Sequence, residues 1–131
     1  IIVRVPLASG LLSGKFKSDS SFSAKDHRNY NRQGEAFDVG ETFSGVNYQE
    51  GLQAVEELRP LLPPGATMAQ WALRWILMNP AVTVTIPGAK SVRQAQENAA
   101  ASDLPALSPQ VMERIADIYE RRIKAAVHQR W

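Results

Sequence analysis

The sequence has no cysteine, and only two histidines, His27 and His128, in 131 residues. The first absence excludes a disulfide framework, a thiolate zinc site and a thiol nucleophile, and it fits a reducing, cytoplasmic setting. The second leaves too few imidazoles for a histidine metal cluster. Long apolar runs are also missing. None approaches the ~20 residues of a membrane span, nothing resembles a signal peptide, and no membrane partner is expected. Charge of one sign is scarce too: the formal net charge of +2 suits an anionic ligand but is not a nucleic-acid footprint. No histidine falls beside a serine or a carboxylate in a readable catalytic pattern, so spacing assigns no catalytic residue. What is present is apolar material, 44% of residues, enough for a core in one small domain or in part of a larger one. The chain opens on Ile-Ile-Val rather than Met, as a strand cut within a longer protein would.

Hydrophobic periodicity predicts a short strand over residues 1–5, ended by Pro6, which has no N–H for a ladder. A Gly-punctuated turn follows over 7–16. Residues 17–46 are polar, with isolated aromatics Phe22, Tyr30, Phe37 and Phe43, and read as a long loop of the lid or mobile kind. A helix is predicted from about Asn47 to Leu61, broken by Pro63-Pro64-Gly65. Thr67 and Gln70 then form a capping box for a second helix. Trp71, Trp75 and Met78 fall on that helix at core-like spacing, and Asn79-Pro80 stops it. Val82, Val84 and Ile86 alternate with threonines as a strand does. A helix follows from Ser91 to about Ser102, with Ser91 and Gln94 as a second capping box. Ser108-Pro109 opens a last helix, which turns Val111, Ile115 and Ile118 inward and ends in Arg121, Arg122 and Lys124, read as complements to its dipole. The order is a βαβα unit, which makes a parallel sheet.

The strongest local signal is Ile86-Pro87-Gly88-Ala89-Lys90-Ser91. A strand passes through a turn into a helix N-terminus, where unpartnered N–H groups and the dipole favour an anion, and Lys90 adds a cation. On that helix Gln94, Glu97 and Asn98 share one face. Two amides and a carboxylate can bond a purine edge or a ribose hydroxyl; a solvated polar face is the ordinary alternative. Gly10 to Lys15 invites comparison with the phosphate loop G-x-x-x-x-G-K-[ST]. The match fails, because Ser9 stands at the first glycine and Phe16 at the hydroxyl position. His27, Arg28 and Arg32 are either a phosphate clamp in the loop or solvated charges.

Three blocks in order resemble the aldo-keto reductase family. Val5-Pro6-Leu7-Ala8-Ser9-Gly10-Leu11-Leu12-Ser13-Gly14-Lys15-Phe16 resembles the segment after the seventh barrel strand. Thr67 to Trp75 resembles the helix before the eighth strand. Val84 to Ala89, with Gln94, Glu97 and Asn98, resembles the eighth strand and its cofactor helix. The resemblance implies the C-terminal portion of a (β/α)8 TIM barrel, all of residues 1–131 serving as its cofactor-binding part. It implies NADPH as cofactor and reversible hydride transfer to a small-molecule aldehyde or ketone. By position, Arg4, Pro6, Leu7, Ser9 and Gly10 would line the cofactor. Lys15 and Arg28 would lie at the pyrophosphate, and Gly88, Lys90, Gln94, Glu97 and Asn98 would hold the adenosine and its 2′-phosphate.

The family's catalytic tetrad of Asp, Tyr, Lys and His has no counterpart here, so the chain alone is expected to be inactive. A non-catalytic binding or assembly module on the same fold is the alternative. Arg4 stands where the family usually has an aromatic that stacks on the nicotinamide. A guanidinium there is expected to disfavour the oxidised, cationic ring. Gln94 stands where an arginine often meets the 2′-phosphate, which leaves that charge to Lys90 or Arg93. Two strands cannot close a barrel. The apolar Ile1, Val3, Val84 and Trp71 are therefore expected to need self-association, strand exchange or a complementing N-terminal fragment.

Overall fold

The computed structural model describes residues 1–130. Two short strands, β1 (Ile2–Val3) and β2 (Val84–Thr85), form a parallel pair in the register Ile2 with Val84 and Val3 with Thr85. The Ile86 N–H donates to the Val3 carbonyl at 3.0 Å and extends the ladder by one rung. Both strands are shorter than the alternation predicts. After Val3 the chain turns away, and Val5 takes a φ of 50°, a conformation that a β-branched residue rarely adopts.

Residues 17–46 are not a bare loop, and this corrects the sequence reading. They contain α1 (His27–Tyr30) and 3₁₀ turns at Val39–Glu41 and Phe43–Gly45. They also share a small core with their neighbours, in which Leu11, Phe43 and Tyr48 are buried and Phe16 and Phe22 pack against them. Phe22 meets Phe16 edge-on at 5.2 Å, and Phe43 lies 5.0 Å from Tyr48. Asn31 is fully buried. Its amide oxygen accepts from the Ala36 and Phe37 N–H groups, each at 2.8 Å, and its Nδ2 donates to Thr42 Oγ1 at 3.2 Å. A segment without helical or strand periodicity is thus held by aromatic packing and one amide that closes a turn.

The helices follow the sequence more closely. Asn47 caps α2 (Tyr48–Leu58), which tightens into a 3₁₀ turn at Arg59–Leu61, where Pro60 has no N–H to continue the helix. Thr67 and Gln70 form the expected capping box on α3 (Met68–Leu77). α4 (Val92–Ala99) gives way to a 3₁₀ turn at Ala100–Asp103, and Ser108 caps α5 (Pro109–Ile118). A single π turn, Tyr119–Ile123, joins α5 to α6 (Lys124–Val127). Among the described residues no helix is long and apolar enough to cross a membrane.

The main core gathers Val55, Met68, Trp71 and Leu107, with Leu58, Val111 and Ile115 packed against them. Trp71 is therefore buried, not part of an exposed face. Trp75, expected inside, is 43% exposed; it borders a small apolar cleft with Pro6, Leu12 and Ile76. Ile1, Ile2, Val84 and Ile86 are exposed around the strand pair. The basic C-terminal stretch does not serve a helix dipole. Arg121 and Arg122 both bind Glu57 of α2, Arg122 also reaches Glu50, and Lys124 pairs with Glu120. The two arginines hold the Glu57 carboxyl down at about 2.

Candidate functional site

Parallel pairing decides where the candidate residues lie. Because β1 and β2 run the same way, the turn after β1 (Pro6–Gly10) and the turn after β2 (Ile86–Lys90) leave the same, C-terminal end of the pair. In open and closed parallel sheets alike, that end is where ligands bind.

The turn after β1 is bent by three consecutive-region residues with positive φ: Val5 at 50°, Ala8 at 47° and Ser9 at 55°; Gly10 follows at 98°. The Leu7 carbonyl accepts from the Gly10 N–H at 2.9 Å and the Leu12 N–H at 3.2 Å, which holds the bend. A Cβ on Gly10 would sit 3.0 Å from the Phe16 ring and 3.6 Å from an Arg28 nitrogen, so the ring would have to give way, and the φ of 98° strains any other residue. Arg28 thus lies against the turn. Its Nη1 donates to the Ser9 carbonyl at 3.3 Å, and its guanidinium stacks 4.6 Å from the Phe22 ring. His27 and Arg32 do not join it. His27 Nδ1 faces Thr42 Oγ1 at 3.2 Å, and Arg32 packs over Tyr48 at 4.9 Å while donating to the Arg28 carbonyl. Of these three side chains, only Arg28 therefore faces the turn.

Asp26 was not legible as a functional residue. It caps α1 through the Arg28 N–H at 2.9 Å and accepts from Arg28 Nε and Nη2 at 2.9 and 2.6 Å. The side-chain bonds from Arg28 hold the Asp26 carboxyl below its ordinary 3.8, at about 2, against partial burial that works the other way. The signal available was the spacing Asp26-x-Arg28 at a helix start. A carboxyl depressed on folding stabilises the fold fully above its unfolded value and loses that contribution as pH falls toward its folded value. The stability advantage of the native chain over Asp26→Asn is expected to be constant above pH ~5 and to shrink between pH ~4 and ~2. Urea melts at pH 7, 4 and 2.5 check this, and a difference that stays constant to pH 2.5 refutes it.

Arg4 leaves the end of β1 and is exposed, but it is not a bare cation. Its Nη1 and Nη2 donate to the two Glu41 oxygens, each at 2.8 Å. Glu41 thus compensates the Arg4 charge, a partner that the expectation for the oxidised ring did not include. Lys15 is exposed and takes no ion-pair partner within 4 Å among the described residues; the same holds for Lys90.

On the second turn, the side chains of α4 reach back and tie the turn down. Ser91 Oγ caps the Gln94 N–H at 3.2 Å. Gln94 does not complete a capping box on Ser91; its Oε1 accepts from the Lys90 N–H at 2.7 Å, one residue earlier. Asn98 Nδ2 donates to the Gly88 carbonyl at 3.3 Å. Glu97 belongs to another set: its carboxylate accepts from Arg93 Nε at 2.8 Å, and its carbonyl accepts from Gln70 of α3 at 3.1 Å. An open cleft of about 410 Å³ runs beside β2, with Pro87, Ala89 and Asn98 in its wall. Nothing lies within 4 Å of a Cβ placed on Gly88, so this turn is open to a ligand.

A pyridine dinucleotide needs cations for its phosphates, a backbone that can be closely approached, and polar groups for the sugar. Lys90, exposed beside the second turn, supplies a cation, and Arg28, already paired with Asp26, lies against the first; Gly88 supplies the open backbone, and Gln94 and Asn98 the polar groups, so the residues around the second turn fit the sugar and phosphate of such a group. No cluster of three or more potential metal ligands occurs among the described residues.

The class these features define is an α/β unit with two turns and a helix start gathered at the C-terminal end of parallel strands. The family model described as "Aldo/keto reductase family" matches residues 1–120, and the chain belongs to that family, whose members fold as (β/α)8 barrels and generally use NAD(P)H. It is similar to a probable voltage-gated potassium channel subunit beta of Arabidopsis thaliana, at 34% identity over 91% of this chain and 35% of that protein. It is 30% identical to the aldo-keto reductase str7 of Strobilurus tenacellus, over 79% of this chain and 29% of that protein. With L-glyceraldehyde 3-phosphate reductase of Escherichia coli O157:H7 it shares 32% identity over 74% of this chain and 27% of that protein. The chain spans about a third of the length of these relatives.

Proposed function

We propose that this chain is the C-terminal, cofactor-grasping part of an NADPH-dependent aldo-keto reductase barrel and that it carries strands equivalent to the seventh and eighth. The observation that carries this reading is the parallel pairing of β1 with β2, which sends the Pro6–Gly10 turn and the Ile86–Lys90 turn off the same end. Lys15 and Arg28 serve the pyrophosphate. Gly88, Gln94, Glu97 and Asn98 serve the adenosine, and Lys90 meets the 2′-phosphate, with Arg93 held on Glu97. When bound, the cofactor supplies a hydride that adds to the carbonyl carbon of an aldehyde or ketone. This chain's own contribution is to bind and orient; the proton donor and most of the carbonyl pocket come from strands outside it. The exposed Ile1, Ile2, Val84 and Ile86 support the further proposal that added strands, from a complementing N-terminal fragment or a second copy, cover the edges of the pair.

The 2′-phosphate assignment has a direct test. Lys90→Met is expected to weaken NADPH binding about five- to tenfold, the size of one exposed charge-assisted contact, and to leave NADH binding unchanged. Fluorescence titration with both nucleotides reads it. Equal losses for the two would remove Lys90 from the 2′-phosphate.

A second reading, a non-catalytic assembly module, is favoured by one observation: a relative at 34% identity bears the name of a channel beta subunit. Under it the chain binds a protein partner and shows no nucleotide dependence.

A further inference from the structure

All five non-glycine residues with positive φ among the described residues lie in two segments that touch: Val5, Ala8 and Ser9 in one, Phe43 and Ser44 in the other. Three contacts join the segments. Ser9 Oγ accepts from the Phe43 N–H at 3.1 Å and donates to the Glu41 carbonyl at 3.4 Å. Arg4 and Glu41, 37 residues apart, form the third, a two-pronged pair with both N–O distances at 2.8 Å. The Arg4 and Glu41 side chains are 66% and 39% exposed, respectively. An ion pair so open to water adds little to stability. Its consequences are geometric and electrostatic: it fixes the plane of a guanidinium at the mouth of the strand pair and cancels its charge. Arg4 in turn keeps the Glu41 carboxyl below its ordinary range, so the carboxylate remains ionised.

We propose that Glu41 is a positioning residue for Arg4, and that its carboxylate sets the balance between oxidised and reduced nicotinamide at this site. The inference rests on the reading that the turn after β1 faces the cofactor ring. The oxidised ring is cationic and the reduced ring is neutral. Facing a compensated Arg4–Glu41 pair, the two are discriminated weakly. Facing Arg4 alone, the oxidised ring is repelled; facing Glu41 alone, it is attracted.

The test is the ratio Kd(NADP⁺)/Kd(NADPH), measured by calorimetric titration on the native chain and three variants. Glu41→Gln is expected to raise the ratio about tenfold, the effect of one charge at near-contact distance after solvent screening. Arg4→Gln is expected to lower it by a similar factor. The double variant is expected to return it to within about twofold of the native value, because the opposing charge changes cancel. A merely structural role moves both affinities together and leaves the ratio unchanged in all variants, which overturns the proposal while the cofactor reading stands. Failure of the native chain to bind either nucleotide overturns both. Circular dichroism on each variant confirms that the fold is retained, and the opposite signs of the single variants separate a charge effect from a general loosening of the turn.

Discussion

Mixed with a chain that carries the first six β/α units of an aldo-keto reductase barrel, this chain is expected to gain an NADPH-oxidising activity that neither partner has alone. Hydride transfer requires the donor ring, the carbonyl carbon and a proton donor in one geometry. Holding reactants so is worth many powers of ten in rate. In the proposed reading, the turns over residues 6–10 and 86–90 and the start of α4 hold only the nucleotide side of that geometry. With 4-nitrobenzaldehyde as the carbonyl probe, the mixture is expected to exceed either chain by at least about a thousandfold, and size-exclusion chromatography is expected to show a one-to-one complex. The strand edges are the reason assembly is expected: among the described residues β1 and β2 pair only with each other, and Ile1, Ile2, Val84 and Ile86 lie exposed beside them. Full activity from this chain alone would place the proton donor inside it and overturn the proposal. A tight complex with no turnover would favour the assembly-module reading.

Phe43→Ala is expected to be the most damaging single substitution in the 17–46 segment, lowering stability by about 3–5 kcal/mol. The ring is 1% exposed and touches Tyr48, Phe22 and the Arg32 guanidinium at 5.0, 6.0 and 5.9 Å. Its removal leaves a hole that these rings cannot close, because each is already held by another contact. The loss is a large part of the ~5–15 kcal/mol that a domain of this size has in total. Urea denaturation reads it as a fall of about 2 M in midpoint. Phe43→Leu is expected to recover more than half. Phe43→Gly separates two effects: it relieves the positive φ of 51° but still loses the ring, so it is expected to fall near the alanine variant. A Phe43→Gly chain as stable as the native one would show that the ring contributes no more than relief of the strained φ returns.

Thr67 with Gln70, Ser91 before α4 and Ser108-Pro109 before α5 were all legible in the sequence, because a cap is a local bargain among neighbouring residues. The parallel strands were legible from alternation and order. What escaped depends on residues far apart in sequence. The pairing of Arg4 with Glu41 spans 37 positions, and that of Arg122 with Glu57 spans 65. No periodicity announces either. Phe22 and Phe43 looked like isolated aromatics because their shared core is built from irregular chain, 3₁₀ turns and the start of α2, which together have no apolar stripe of helical or strand spacing. Trp75 misled for a related reason: its spacing from Trp71 suggests the core side of α3, yet it lies 43% exposed at the edge of the cleft with Pro6, Leu12 and Ile76. At the candidate site, the residues of both turns were named from the sequence, whereas the partners that restrain them, Asp26 on Arg28 and Glu41 on Arg4, emerged only from the fold.

The π turn between α5 and α6 has a consequence for how the chain's length can vary. An α-helix advances about 100° per residue. The same residues wound as one uninterrupted α-helix would carry Val127 out of the core, where it is 3% exposed. They would also swing Arg130 off Asp38, which it now meets at 3.2 and 3.3 Å. The extra residue in Tyr119–Ile123 resets the rotational phase between two patterns, the apolar stripe of α5 and the clasp at Val127–Arg130. Losing one residue inside that turn lets the helix regularise and leaves everything beyond it in place. Losing one from Pro109–Ile118 rotates the clasp away. The last helix therefore has one segment, Tyr119–Ile123, in which a one-residue deletion is absorbed, and only α6 separates it from the turn that carries Arg130 to Asp38.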